Sequence, residues 1–268
     1  MGYFILKYQK NQGKTLMRNH SLRDLDIAGV KWELSETANI NKTPIQKTNN
    51  DSVKPAVSTS VSTNNTAIIP PSAPVSRVNA VTVADTARDL GELISAIMEF
   101  GHPLCQFAKN IVPPVFSKSD IGLLIITDIP SSDDDDCGRL LTGNAGDLMD
   151  KMLNAIGINR DDVSIIPLVF CRTPGGRGPS TEELDLARPF VTRAISMLNP
   201  RAILTLGALS ATEIVGAKLP KDHGQEFKYA DNIPVIPIYH PNYLILKPDA
   251  KRTVWESLQN LQNLLKTA

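Results

Sequence analysis

Residues 121–127 read IGLLIIT, a short continuous apolar run. A run of this length with no polar alternation is the pattern of a strand covered on both faces of a sheet. Working outward, the pattern repeats with helices between. AGDLMDKMLNAIG (145–157) is an amphipathic helix that stops at Gly157, and VSIIPLVF (163–170) is a second strand. TEELDLARPFVTRAISML (181–198) is a long helix, opened by a capping box of Ser180 and Glu183. RAILTLG (201–207) is a third strand, with a short helix over ALSATEIVG, and IPVIPIY (233–239) is a fourth. AKRTVWESLQNLQNLLKTA (250–268) is a closing helix. Upstream, DTARDLGELISAIMEF (85–100) predicts a helix capped by Asp85, with Leu90, Leu93, Ile94 and Ile97 on one face. Strand alternating with helix specifies an α/β fold: three layers, α/β/α, around a mostly parallel four-stranded sheet. Ligands of such sheets bind at the carboxyl ends of the strands. The loops to inspect are therefore 127–145, 170–180, 207–210 and 240–250.

The chain has 268 residues, of which 42% are hydrophobic, and 28 Lys and Arg balance 28 Asp and Glu. Such a chain buries a substantial core, and bulk charge does not hold it to nucleic acid or membrane, although a local basic groove remains open to it. No apolar run approaches a membrane span. The opening MGYFILKYQKNQGK is too short in apolar residues for a signal peptide. Three widely spaced cysteines, Cys105, Cys137 and Cys171, argue against a disulfide framework, so a reducing cytoplasmic setting is expected. Three segments are expected: 1–37, an Asn/Ser/Thr/Pro-rich disordered linker over 38–82, and a folded domain over 83–268. Within the first, SLRDLDIAGVKWEL (21–34) reads as a short helix with a turn at Gly29, or as a marginal piece that docks on a partner protein or frays. The linker has no aromatic residue and too little apolar surface to offset its ordering entropy.

The loops carry the chemistry. After the first strand comes TDIPSSDDDDCGRLLTGNAG (127–146). Asp128 is the first carboxylate beyond the sheet edge, placed to order a water or a cation, or to cap a turn before Pro130. Asp133 to Asp136 read as a solvated acidic turn, since four consecutive acids do not converge on one ion. GNAG runs into a helix and offers backbone N–H groups to an anion. After the second strand, CRTPGGRGPSTEEL (171–184) exposes Arg172 and Arg177 on a Pro-Gly-Gly turn, either against phosphates or simply in solvent. After the fourth, HPNYLILKPDAKR (240–252) starts with His240, the best placed of four histidines, either a donor to a developing oxyanion or a structural residue. Lys247, Lys251 and Arg252 give a local basic cluster. No GxGxxG or P-loop is present, which weakens a nucleotide-binding reading.

Taken in order, these loops resemble the uracil-DNA glycosylase superfamily, most like its family 4 (iron–sulfur) branch. The likeness covers roughly residues 100–265. It rests on GRLLTGNAGDLMDKML (138–153), CRTPGGR (171–177), EELDLARPF (182–190), NPRAILTLGALSATEIVG (199–216) and IPVIPIYHPNYLILKPDAKRTVWESLQNL (233–261). The resemblance implies a DNA repair enzyme that flips a base out of the stack and hydrolyses its N-glycosidic bond. It implies that Asp128 orients water and tolerates the sugar cation, and that His240 donates to the departing base. It places Thr127, Ile129, Leu141, Pro167 and Asn242 around the base. It puts Arg172, Arg177, Tyr243, Leu244, Lys247 and Arg252 on DNA, with the loop after His240 pressed into the minor groove. A monomer bound to DNA and to no membrane is expected.

Several motif positions depart from the family's pattern. Its GExPG is Thr127-Asp128-Ile129-Pro130-Ser131 here. Its uracil-stacking aromatic is Leu141, and its base-reading asparagine is Pro167, which has no amide side chain. The family's four cluster cysteines fall at His102, Cys105, Cys171 and Ala187. A [4Fe–4S] cluster is therefore not expected and no cofactor is anticipated. The three remaining ligands suit at most a zinc or a labile cluster, and Cys105 and Cys171 otherwise read as small buried apolar residues. The alternative to an enzyme is a degenerate homologue that binds DNA or a partner without chemistry.

Overall fold

A computed structural model describes residues 4–8, 30–34, 76–230 and 232–267. The chain divides into two units between Pro71 and Ser72. In the first, β1 (Phe4–Tyr8) pairs antiparallel with β2 (Val30–Leu34), with Phe4 opposite Leu34 and Tyr8 opposite Val30. Residues 30–34 are thus strand rather than the end of a helix. Val30, Trp32 and Leu34 alternate with Lys31 and Glu33, a period of two that favours a strand over a helix. The rest of the expected helix, and the linker up to residue 75, lie outside the described residues.

In the second unit the described residues start at Ser76, and helix starts at Arg77, six residues before the expected start of the domain. Ser76 caps α1 (Arg77–Thr86) by accepting the Asn79 N–H. Ala80, Ala84 and Ala87 are buried. Such short side chains let α1 pack closely on α5 (Thr181–Leu198), but they hardly register in a hydropathy pattern. A second helix, α2 (Leu90–Glu99), is capped by Asp89 and not by Asp85; Asp89 Oδ1 takes the Glu92 N–H at 2.8 Å. The single helix expected over 85–100 is therefore two helices, broken at Ala87, whose backbone is extended.

The rest of the domain follows the expected alternation. β3 (Leu123–Thr127) leads to α3 (Ser132–Cys137) and α4 (Gly143–Ala155), then β4 (Ser164–Pro167) to α5. β5 (Ala202–Leu206) leads to α6 (Ala208–Val215) and β6 (Phe227–Tyr229), then β7 (Ile233–Ile238) to α7 (Pro241–Leu246) and α8 (Lys251–Thr267). The sheet has five strands in the order β4-β3-β5-β7-β6, not four. The first four are mutually parallel; β6 runs antiparallel along β7. At three residues, β6 is too short to show as an apolar run. β3 is buried at every position, and each of its fully buried Leu and Ile side chains contributes roughly 1.5–3 kcal/mol. Leu124, Ile126, Ile203 and Val235 join one core with Leu93, Ile97, Phe190 and Ala194. Leu123 and Ile125 alternate to the opposite face, where α8 covers β5 and β7. All four parallel strands therefore deliver their following loops to a single edge. Among the described residues no helix is long and apolar enough to cross a membrane.

Candidate active site

Asp128 follows the last residue of β3. Its Oδ1 accepts the Ser210 N–H at 2.7 Å, so the carboxylate caps α6, whose own N-cap, Gly207, has no side chain to do so. Gly207 sits at φ +116°, and a Cβ there would overlap the Asp128 carboxylate. Glycine is required at this point both for its dihedral and for this approach. Burial pushes the Asp128 carboxyl above the usual carboxylate range. Hydrogen bonds from the amide and hydroxyl of Ser210, the charge of His240 and the Leu209 amide pull it back.

His240 caps α7. Its Nδ1 accepts the Asn242 N–H at 3.2 Å, with Pro241 as the first helical residue. The imidazole proton accordingly resides on Nε2, leaving an N–H donor for a ligand. Burial lowers the His240 pKa, against the opposing pull of the Asp128 and Asp134 carboxylates, so the ring is neutral at neutral pH. The structure brings together at the sheet edge a desolvated carboxylate and a neutral imidazole donor, each influencing the other's ionisation.

The wall beside them is held by the acidic run, which is not a solvated turn throughout. Asp134 is buried. It accepts the Ser131 N–H at 3.0 Å, the Thr142 N–H at 2.7 Å and the Thr142 hydroxyl at 2.8 Å. Asp135, also buried, accepts the Lys109 and Asn110 amides at 2.9 and 3.0 Å. Only Asp133 and Asp136 are exposed. Between Asp134's two anchors the chain forces Leu141 to φ +50° while burying it. Its carbonyl rests on Gly146, where a Cβ would overlap it. Backbone strain of this kind in a non-glycine residue costs about 1–3 kcal/mol and concentrates at functional sites.

The remaining candidates divide. Thr127 and Pro167 are buried and pair across β3 and β4, and Ile129 is half-buried. The Leu168 N–H is shared at 3.0 Å between the carbonyls of Thr127 and Asp128, and Pro167 beside it brings no side-chain amide. Asn242 and Tyr243 are exposed on α7. Leu244, expected on DNA, instead points into the core at 1% exposure, because a helix turns it inward between Tyr243 and Leu246. Leu246, at 77%, is the exposed apolar side chain, and the i, i+3 spacing from Tyr243 was the signal for it. Lys247 ends α7 in solvent. Arg252 pairs with Glu256 at 3.3 Å. Arg172 is half-exposed, whereas Arg177 forks onto Glu183 at 2.6 and 2.8 Å within the capped start of α5. Sequence reasoning missed Gly207, Ser210 and Asp134, since their partners are distant in the chain or hidden in a charge run.

This site lies within residues 113–260, which match the family model for the uracil DNA glycosylase superfamily. The chain belongs to that superfamily. Among curated relatives it is similar to the type-4 uracil-DNA glycosylase of Pyrobaculum aerophilum, 33% identical over 155 residues, covering 54% of this chain and 79% of that protein. The Thermotoga maritima type-4 uracil-DNA glycosylase is 31% identical over 152 residues, 55% of this chain and 79% of the relative. A third relative is a DNA polymerase of Bacillus phage SP01, 28% identical over 136 residues, which are 47% of this chain and 14% of the polymerase.

The iron–sulfur group of the type-4 enzymes finds no matching ligand set in this member of the superfamily. Cys105 and Cys171 are joined as a disulfide, with Cα atoms 5.1 Å apart, contrary to the expectation from cysteine spacing. The fold brings the turn Pro103–Phe107 against the segment that follows β4, across a sequence separation of 66 residues. His102 spends both ring nitrogens on backbone: Nε2 on the Glu183 carbonyl at 2.9 Å, and Nδ1 on the Leu104 N–H at 3.2 Å. Ala187 is fully buried and carries no donor atom. These residues do not fit a four-thiolate cluster. Cys137 is a free, exposed cysteine.

Proposed function

We propose that this chain is a DNA glycosylase that hydrolyses the N-glycosidic bond of uracil or another deaminated base, and that it does so without an iron–sulfur cluster. The observation that carries the reading is the pairing of Asp128 with a neutral His240 whose Nε2–H is available to a ligand. In such a site the flipped base leaves with the electron pair of its bond to C1′. The Nε2–H of His240 donates to the base oxygen on which negative charge grows. The Asp128 carboxylate faces the cationic sugar and orients a water whose oxygen bonds to C1′, taking up the proton that this water loses. His240 stays neutral throughout; the released base anion takes its proton from solvent. With Leu141 and Pro167 in place of an aromatic ring and an amide, base discrimination is expected to be relaxed, since the hydrogen-bonding reader is absent.

A second reading, a DNA-binding module without chemistry, draws on one feature: Asp128 already serves as the cap of α6. Base release from single-stranded oligonucleotides bearing uracil, hypoxanthine or xanthine separates the two. Release by the native chain that is lost in Asp128→Asn supports hydrolysis. Binding with no release from any of the three assigns the module.

A further inference from the structure

Three aromatic rings stand in file beside His240. The His223 ring lies on Tyr239, with centroids 4.2 Å apart and planes 32° apart. Tyr239 stacks on Tyr243 at 4.7 Å and 29°. At the inner end His223 is half-buried, and both its ring nitrogens are buried without a partner in another described residue. Burial lowers its pKa, so a neutral ring faces Tyr239. The outer end is open, with Tyr243 at 43% exposure. Tyr239 immediately precedes His240, and Tyr243 follows it by three residues, so the file runs alongside the catalytic edge. Leu246 and Lys247, both exposed, continue α7 beyond the outer ring and place an apolar contact and a cation next to it.

Rings at stacking distance, tilted by 32° and 29° from one to the next, with buried ring nitrogens at one end and an exposed ring at the other, form an unfinished stack. We propose that Tyr243 is the outer rung of a platform that takes one unpaired nucleobase of DNA, the neighbour of the nucleotide whose base enters the Asp128–His240 site. This rests on the reading of that site given above. A base inside a duplex has both faces covered by its neighbours, whereas a single strand offers a face at no unpairing cost. Every base has a π-face, so the platform adds affinity without choosing sequence. Lys247 adds a phosphate contact that weakens with salt.

The test uses the full chain and 15-nucleotide single strands holding one 2′-fluoro-deoxyuridine, which resists base loss, with 2-aminopurine on its 5′ or its 3′ side. Stacking on Tyr243 quenches 2-aminopurine at one of the two positions. Tyr243→Leu is expected to abolish that quenching and to weaken binding about tenfold, within the range of one base–aromatic stack. Tyr243→Phe keeps both, and pairing the strand with its complement removes the quenching. Wild-type affinity and quenching in Tyr243→Leu overturn the proposal. So does a Tyr243→Phe variant that behaves like Tyr243→Leu, since the hydroxyl and not the ring face would then make the contact. Base release from the same strand carrying ordinary deoxyuridine is measured in parallel. No release with the Tyr243 effect intact removes hydrolysis and leaves the platform; release with no Tyr243 effect removes only the platform. A chain that binds no single strand overturns the platform, and base release from the corresponding duplex then decides the hydrolysis separately.

Discussion

Two corners of the molecule have parted ways. At the carboxyl edge of the sheet, Asp128 and His240 stand at the ends of β3 and β7 with their ionisation tuned by burial and by each other. At the corner where α5 starts, the positions at which the family resemblance leads one to look for cluster ligands carry a disulfide, a histidine bound to backbone and a buried alanine. The difference separates chemistry from support. Fastening residues 102–112 to the segment after β4 and to α5 is a packing task, carried here by the Cys105–Cys171 bond and by hydrogen bonds from Val112 to Phe170 and between His102 and Glu183. The proposed hydrolysis admits no such exchange, since it relies on the Asp128 carboxylate and the neutral His240 donor at fixed places.

That contrast is open to direct attack, and the largest effects belong to the chemical corner. Asp128→Asn is expected to lower base release by about 10²–10⁴-fold, the usual contribution of a positioned acid–base group. The same change should leave Tm unchanged or raise it. The folded-state pKa of Asp128 lies above its unfolded value, so ionisation costs stability; the cost is complete above the folded pKa and vanishes below the unfolded one. A large drop in Tm at neutral pH would instead make Asp128 chiefly a cap. His240→Ala should cost about 10²–10³-fold through loss of the donor, with the fold retained by circular dichroism. Unaltered release in that variant breaks the comparison outright.

Gly207→Ala comes next. The new Cβ displaces the Asp128 carboxylate, so release should fall by about 10²-fold, and the strained φ destabilises the domain by about 1–3 kcal/mol. The pH profile sharpens the point: in the native chain, release should fall on acidification at a pH above the ordinary carboxylate range, because burial raises the Asp128 pKa. In Gly207→Ala that limb should move as the carboxylate leaves its cap. An unmoved limb would detach Gly207 from the site.

At the supporting corner the expected losses are of stability, not of rate. Cys105→Ser is expected to cost about 2–4 kcal/mol, read by denaturant titration, while release at low temperature persists. Alkylation of the denatured, unreduced chain should find one thiol, Cys137, and metal analysis should find no stoichiometric iron. Three thiols, or iron with a band near 400 nm, would return this corner to the pattern of the relatives. The smallest effect is assigned to Arg177→Ala. Its guanidinium is tied to Glu183, so DNA affinity should hardly change, whereas Lys247→Ala should weaken binding and flatten its salt dependence.

By itself the sequence determined the layered α/β architecture, the four parallel strands and the loops that carry Asp128 and His240. Buried parallel strands are written as local apolar runs, and helices as local periodicity, so each is legible within a dozen residues. The capping box of Ser180 and Glu183 was legible for the same reason. Tertiary structure alone decided the rest. Residues 77–82 read as linker but open α1, because buried Ala80, with Ala84 a turn later, has its value in close approach to α5. The β6 edge strand exists because β7 offers it a partner. Asp134 and Asp135 leave an apparently solvated run to satisfy amides at Thr142, Lys109 and Asn110. Cys105 meets Cys171 only when the turn after α2 reaches the segment that follows β4. Asp128 becomes both a cap and a desolvated carboxylate through Gly207 and Ser210, some 80 residues away. Contacts between residues distant in the chain, and the dielectric they create, have no local signature, and it is those contacts that set the ionisation on which the proposed chemistry depends.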